Sequence, residues 1–296
     1  MQRRQFLIGA AGVALFAALP ALAARENEYG GIALRRAVAA LERRSGGRLG
    51  VVVRDVAARR SFAWRGAGRF PMCSTFKFLL AAAILARVDR GRETLDRRIA
   101  VPAGAQLSNS PFSESRAGRD ATIGQLCEAI MVDSDNAAAN LLLPAVGGTA
   151  GVTRFARALG DPLTRLDRQE TAMGESAPGD PRDTTAPASM VGNLQRLLLG
   201  DVLRPESRAR LTAWMIACRT GRTRLRAGLP GGWRVGDKTG SGTHGTVNDI
   251  AIAWPAADRP ILIAAYLTGS TLEERPRHAI LADLGRAVAA GLSPAA

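Results

Sequence analysis

Asn248-Asp-Ile-Ala-Ile-Ala-Trp254 and Ile261-Leu-Ile-Ala-Ala-Tyr-Leu-Thr268 are short apolar runs rich in β-branched and aromatic residues, separated by a Pro/Asp turn. Runs of this length between turn residues read as buried strands. Upstream, Trp233-Arg-Val-Gly-Asp-Lys238 is a third strand, set off by a Gly-rich segment. At the opposite end of the chain, Leu49 to Asp55 and Ser61 to Trp64 read as a hairpin. Glu28 to Arg44 has helical spacing of Ile32, Leu34, Val38 and Leu41 and stops at Ser45-Gly46-Gly47; Glu273 to Ala290 is helical again. From Phe70 to about Leu211 the pattern is helices and loops.

Strands near both termini with helices between them predict an α+β fold. One five-stranded antiparallel sheet is built from both chain ends, with the terminal helices on one face and the helical middle on the other. The expected division is a discontinuous α/β sheet domain (25–66 and 216–296) and an all-α domain (67–215), with a cleft where the two meet.

Composition narrows the function. With 296 residues, 47% of them hydrophobic, the chain can bury a large core and is not an intrinsically disordered protein. Three cysteines exclude a disulfide-dense scaffold, and there is no Cys/His cluster of zinc spacing. Any histidine chemistry falls on His244 or His278. The formal charge is +14, yet of the 40 basic residues only Lys77 and Lys238 are lysines. The arginines are scattered and interleaved with acids, which argues against a secreted polyanion or nucleic-acid binder.

Residues 1–24 have a basic start, an uncharged apolar run and an Ala21-Leu22-Ala23 end, the pattern of a cleaved export signal. Arg3-Arg4-Gln-Phe-Leu resembles a twin-arginine signal. The expectation is a soluble periplasmic protein without stable membrane insertion.

Between Phe70 and Ala86 the only charge is Lys77. A helix starting near Ser74 would be apolar on nearly every face and therefore buried. Ser74 and Lys77, three residues apart, share a face. A buried lysine tends to lose its proton, and a neutral amine beside a hydroxyl activates it as a nucleophile. Read alone, this pair is better explained as an ordinary N-cap serine and a lysine that reaches the surface.

Two further segments bear on that choice: Ser134-Asp135-Asn136, and Lys238-Thr239-Gly240 followed by Ser241. Ser-Thr-Phe-Lys (74–77), Ser-Asp-Asn and Lys-Thr-Gly in this order, with both lysines inside them, resemble the penicillin-recognising serine enzymes. Arg165-Leu-Asp-Arg-Gln-Glu170, leading into Pro178-Gly-Asp-Pro-Arg-Asp-Thr-Thr185, resembles the Ω-loop (here 165–183) of class A serine β-lactamases. That narrows the resemblance to this family.

The resemblance implies a β-lactamase/transpeptidase-like fold and hydrolysis of penicillins and cephalosporins, conferring antibiotic resistance, by a monomer without metal or cofactor. It implies Ser74 as nucleophile, with the backbone N–H groups of Ser74 and Ser241 as oxyanion hole and Lys77 or Glu170 as acylation base. Ser134 is the implied proton relay to the ring nitrogen, and Glu170 the base for the deacylating water. Asn136 would bind the substrate amide, and Lys238, Thr239, Gly240 and Ser241 would form the carboxylate site. Arg224 matches a position that supports that site in some members, and is equally readable as one surface arginine among 38. Arg168 and Asp183 are expected to pair across the loop base.

Several positions depart from the family pattern. Members commonly carry Asn four residues after the loop Glu, where it helps hold the water; here it is Gly174, which implies slow deacylation of some substrates. Asn109 stands where an aromatic residue often walls the cleft. Cys73 matches members that pair it with a Cys just after Lys-Thr-Gly, but here that place is Gly242. The position matching a partner for Cys127 is Ala81, and Cys218 has no evident partner, so three unpaired thiols are expected. Ser241 hints at a broadened spectrum. The nearest rival is a DD-peptidase of cell-wall synthesis, which lacks the deacylating Glu.

Overall fold

The computed structural model describes residues 28–104 and 107–292; the segment read as an export signal lies outside the described residues. The main sheet contains β1 (Arg48–Asp55), β2 (Arg60–Trp64), β7 (Arg234–Gly242), β8 (Thr246–Trp254) and β9 (Ile261–Thr268) in the order β2-β1-β9-β8-β7, antiparallel throughout. Strands from both chain ends meet at the β1–β9 pair.

Period-two alternation sorts the strand residues between two cores. Val51 and Val53 of β1, Ile261, Ile263 and Leu267 of β9, and Val247 of β8 pack under the helices Gly31–Ser45 and Glu274–Ala290. Val52, Leu262, Tyr266, Ile250 and Ile252 face the helices of the chain's middle. The first helix begins at Gly31, later than its Glu28 start read from the apolar spacing, and ends at Gly46, whose φ of 63° is the left-handed cap favoured by glycine.

At the centre of the helical side is Phe76–Asp89, buried at every position from Phe76 to Ala86. Each large apolar side chain so buried contributes roughly 1.5–3 kcal/mol, so this helix is a fixed post against which the site is built. It is preceded by a 3-10 turn, Cys73–Thr75, so Ser74 lies on a tighter turn than the α-helical start predicted for it.

Two short ribbons were not foreseen: β3 (Phe70–Pro71) with β6 (Thr184–Thr185), and β4 (Arg98–Ala100) with β5 (Asp120–Thr122). Strands of two or three residues are too short to carry an alternation signal. The first matters for the site, because it ties the chain just before Ser74 to the end of the Ω-loop, where Met72 N–H also donates to Asp183 O at 2.9 Å. Among the described residues no helix is long and apolar enough to cross a membrane.

Candidate active site

The strand β7 carries the whole Lys238-Thr239-Gly240 motif, as read from sequence, and continues through Ser241 and Gly242. Glycines mask its alternation, but pairing to β8 continues to Gly242↔Thr246. It is the edge strand on the side of the Ser74 turn. A Cβ at Gly240 would lie 2.8 Å from Met72 O and 3.2 Å from Ser74 N. Only glycine permits that approach, and it sets Lys238 to Ser241 against the turn bearing Ser74.

Lys77 is fully buried. Its Nζ donates to Ser74 Oγ at 3.1 Å, Ser134 O at 2.7 Å and Asn136 Oδ1 at 2.5 Å, and lies 2.8 Å from Glu170 Oε1. Burial pushes the Lys77 ammonium below the ordinary lysine range, with the Glu170 carboxylate opposing. Ser74 Oγ in turn donates to Glu170 Oε1 at 3.1 Å. The hydroxyl is therefore in hydrogen-bond reach of two groups able to take its proton.

Across from it, Ser134 has φ 61°, a left-handed conformation between the helices Ile123–Val132 and Asn136–Val146. Its carbonyl receives Lys77 Nζ and also Asn109 Nδ2, at 3.0 Å. Asp135, buried, caps the second helix through Ala138 N–H and accepts from Ser113. Ser134 Oγ receives Lys238 Nζ at 2.9 Å and is 3.4 Å from Lys77 Nζ. One hydroxyl thus bridges the chain's two ammonium groups. Lys238 is pushed down to about 8, mainly by burial, with Lys77 and Arg224 adding like charge.

Asn136 accepts from Lys77 through Oδ1 and donates to Ser108 O at 2.7 Å, which leaves one amide N–H for a ligand. The Thr239 hydroxyl lies 2.5 Å from that of Thr220. Arg224 is not a surface residue: only 4% exposed, it donates to Gly240 O and Asn248 O, both at 2.8 Å, and to Ser241 Oγ at 2.6 Å.

Glu170 is held through its backbone. Its N–H donates to Asn140 Oδ1 at 3.0 Å, and its carbonyl receives Asn140 Nδ2 at 2.7 Å. The loop base is closed by Asp183, whose carboxylate accepts the N–H groups of Asp167 and Arg168 and the Arg168 Nε at 2.6 Å. Asp167 returns the bond by accepting Asp183 N–H. The loop's far end is latched to the β7–β8 turn, Thr243 N–H donating to Gly174 O at 2.9 Å.

Ser74, Ser134, Glu170, Thr239 and Ser241 line one cleft of about 800 Å³. It presents a nucleophile between an amine and a carboxylate, and beside them a cationic, hydroxyl-rich wall. Such a site can acylate a hydroxyl, place an anionic substrate and activate a water. Among the described residues no group of His, Cys, Asp and Glu could hold a metal ion.

The model of the β-lactamase enzyme family matches residues 33–292. Beta-lactamase L2 of Stenotrophomonas maltophilia is 44% identical over 97% of both chains, and Beta-lactamase CTX-M-25 of Escherichia coli is 39% identical over 98% of both. Among solved structures, the class A β-lactamase reconstructed as the last common ancestor of Gram-negative bacteria is 57% identical. It superposes with a TM-score of 0.85 over 86% of this chain and 98% of its own. The chain belongs to the class A serine β-lactamases.

For a class A β-lactamase this one departs from the family in visible ways. Asn109, at φ 55°, turns its amide onto Asp133 O and Ser134 O, where it braces the Ser134 backbone. At Gly174 a Cβ would meet nothing nearer than Ser241 O at 3.9 Å. The cysteines Cys73, Cys127 and Cys218 are free and buried. Asn140 and Thr220 are outside every motif read from sequence, and Asp135, inside the Ser134-Asp135-Asn136 motif, had no role assigned to it. Asn140 stands four residues after Asn136, hence on the same helix face, and that spacing was the available signal. Thr220 had none.

Proposed function

We propose that this class A β-lactamase opens the lactam amide of penicillins and cephalosporins through an ester on Ser74. The observation that carries the reading is Ser74 Oγ, 3.1 Å from both Lys77 Nζ and Glu170 Oε1 and facing Lys238 across Ser134. Ser74 Oγ attacks the lactam carbonyl, giving its proton to the amine form of Lys77 directly or, through a water, to Glu170, which passes it on to Lys77 across their 2.8 Å contact. The backbone N–H groups of Ser74 and Ser241 receive the oxyanion. The C–N bond breaks, and Ser134 Oγ protonates the departing ring nitrogen and is reprotonated from Lys77. Glu170 then takes a proton from the water that attacks the ester and returns it to Ser74 Oγ as the ester C–O bond breaks, which restores both groups.

Lys238, Thr239 and Ser241 bind the substrate carboxylate by one charge and two hydroxyls, with Gly240 letting the strand approach and Arg224 holding Ser241. Asn136 offers its remaining N–H to the substrate's side-chain amide. The sheet part (25–66, 216–296) and helical part (67–215) act as two domains around this cleft. The enzyme works as a monomer in the periplasm, exported by its twin-arginine-like segment, and confers resistance there.

Ser74→Ala should abolish hydrolysis of a chromogenic cephalosporin and leave no adduct. Glu170→Gln should trap a penicillin as a mass increment on Ser74, read on the intact protein and its peptides. An adduct on any other residue overturns the assignment. Stoichiometric acylation of the parent enzyme without turnover would instead favour a DD-peptidase.

A further inference from the structure

His278 lies on the Glu274–Ala290 helix, outside every sequence motif of the site, yet it borders the cleft. Its Nε2 is 3.1 Å from Arg224 Nη2, and its Nδ1 is 3.1 Å from the Thr223 hydroxyl. The same Arg224 nitrogen donates to Ser241 Oγ. A guanidinium has only donors, so the Arg224 contact requires a lone pair on Nε2. That places the ring's single proton on Nδ1, where Thr223 Oγ1 accepts it, and requires a neutral imidazole.

We propose that His278 is a positioning residue. Its neutral Nε2 acts as the acceptor that aims Arg224 at Ser241, and so tunes the binding of the substrate carboxylate. The inference rests on the carboxylate site proposed above and adds a residue to it.

Arg224 has few other ways of being held. Its Nη1 is fixed by two backbone carbonyls, but its buried Nε has no partner among the described residues. Only Nη2 carries the link from the helix to the strand. The charged groups facing the ring are Arg224 from the neighbouring turn and Glu274 and Arg277 from its own helix. Burial and the Arg224 charge hold the imidazole down to about 4, so the acceptor form is the one present at neutral pH. Below that range Nε2 gains a proton and would point a second cation at Arg224. Glu274 Oε1, 3.7 Å away and largely exposed, is then the favourable partner. The ring turns to it, and Arg224 loses its brace.

The test compares three proteins on a substrate bearing the ring carboxylate. His278→Ala, on a half-buried helix face, should raise KM three- to tenfold at pH 7 with kcat within twofold. His278→Gln supplies an acceptor oxygen at the Nε2 position without titrating, and should restore KM to within twofold of the parent. The ratio of parental KM to that of His278→Gln should rise about 1.5- to twofold as pH falls from 6 to 4, where half of the rings carry the second proton. The proposal is overturned by an unchanged KM in His278→Ala, by a loss that falls on kcat, by His278→Gln behaving as His278→Ala, or by a flat ratio. Absence of β-lactam hydrolysis in the parent would sink the proposed function itself, a separate outcome.

Discussion

At the carboxylate end of the cleft, Lys238, Thr239 and Ser241 ride on a nine-residue strand paired to β8 along its whole length. At the opposite end, Glu170, the proposed hydrolytic base, rides on a loop held by one asparagine side chain, one arginine–aspartate staple and a latch at Thr243. The first end inherits its geometry from the same hydrogen-bond ladder that builds the core. The second depends on a handful of side-chain bonds and one backbone latch. A binding surface can thus be as rigid as the fold, while the group that must meet a moving water stands on separately supported chain.

The largest expected effect is at the loop end. Glu170→Gln keeps the shape but not the base, and general-base catalysis of this kind is worth roughly 10²–10⁴-fold. Rapid-quench mass analysis should show kcat falling by about that factor while acylation continues; turnover at the parental rate would remove Glu170 from the mechanism.

Next is the staple. Asp183 is 1% exposed and accepts three bonds around Arg168. Asp183→Ala should cost about 2–4 kcal/mol in urea unfolding and lower kcat more than it raises KM. A change under about 0.5 kcal/mol, the size of an ordinary surface substitution, would mean that the loop is held elsewhere.

At the strand end, the Lys238 ammonium is lost as pH rises through about 8. KM for anionic substrates should therefore rise about tenfold between pH 7 and 9. In Lys238→Arg, whose guanidinium stays charged over this range, that alkaline limb should vanish. Parallel profiles for the two proteins would count against the assignment.

The smallest effect is at Gly174, where the structure has room for a side chain. Gly174→Asn should speed deacylation of slow substrates by about two- to tenfold, the value of one hydrogen bond, measured as kcat under saturation. A slower enzyme would show that the glycine, and not the water, sets the pace.

Much of this was legible beforehand, for identifiable reasons. The short apolar runs of β8 and β9 between turn residues and the uninterrupted apolar helix after Ser74 are local patterns, so the sheet, its two covered faces and the buried Lys77 could be read from them. Two lysines in the whole chain, each inside a motif, pointed to the cleft. The short ribbons, the 3-10 turn under Ser74 and the run of β7 on through Ser241 and Gly242 could not be read. Each is set by a neighbour distant in sequence: Asp183 and Thr185 for the first ribbon, and β8 for the glycine-rich strand end.

The sequence by itself determined which residue types carry the chemistry and which faces are apolar, because both are properties of single residues and their spacing. Only the tertiary structure decided which arginine among 38 reaches Ser241, that Asn109 braces Ser134, and that His278 meets Arg224. Such roles depend on where a flexible polar side chain ends. Arginine is so frequent here that composition cannot mark the one whose guanidinium is buried, and packing alone distinguishes it.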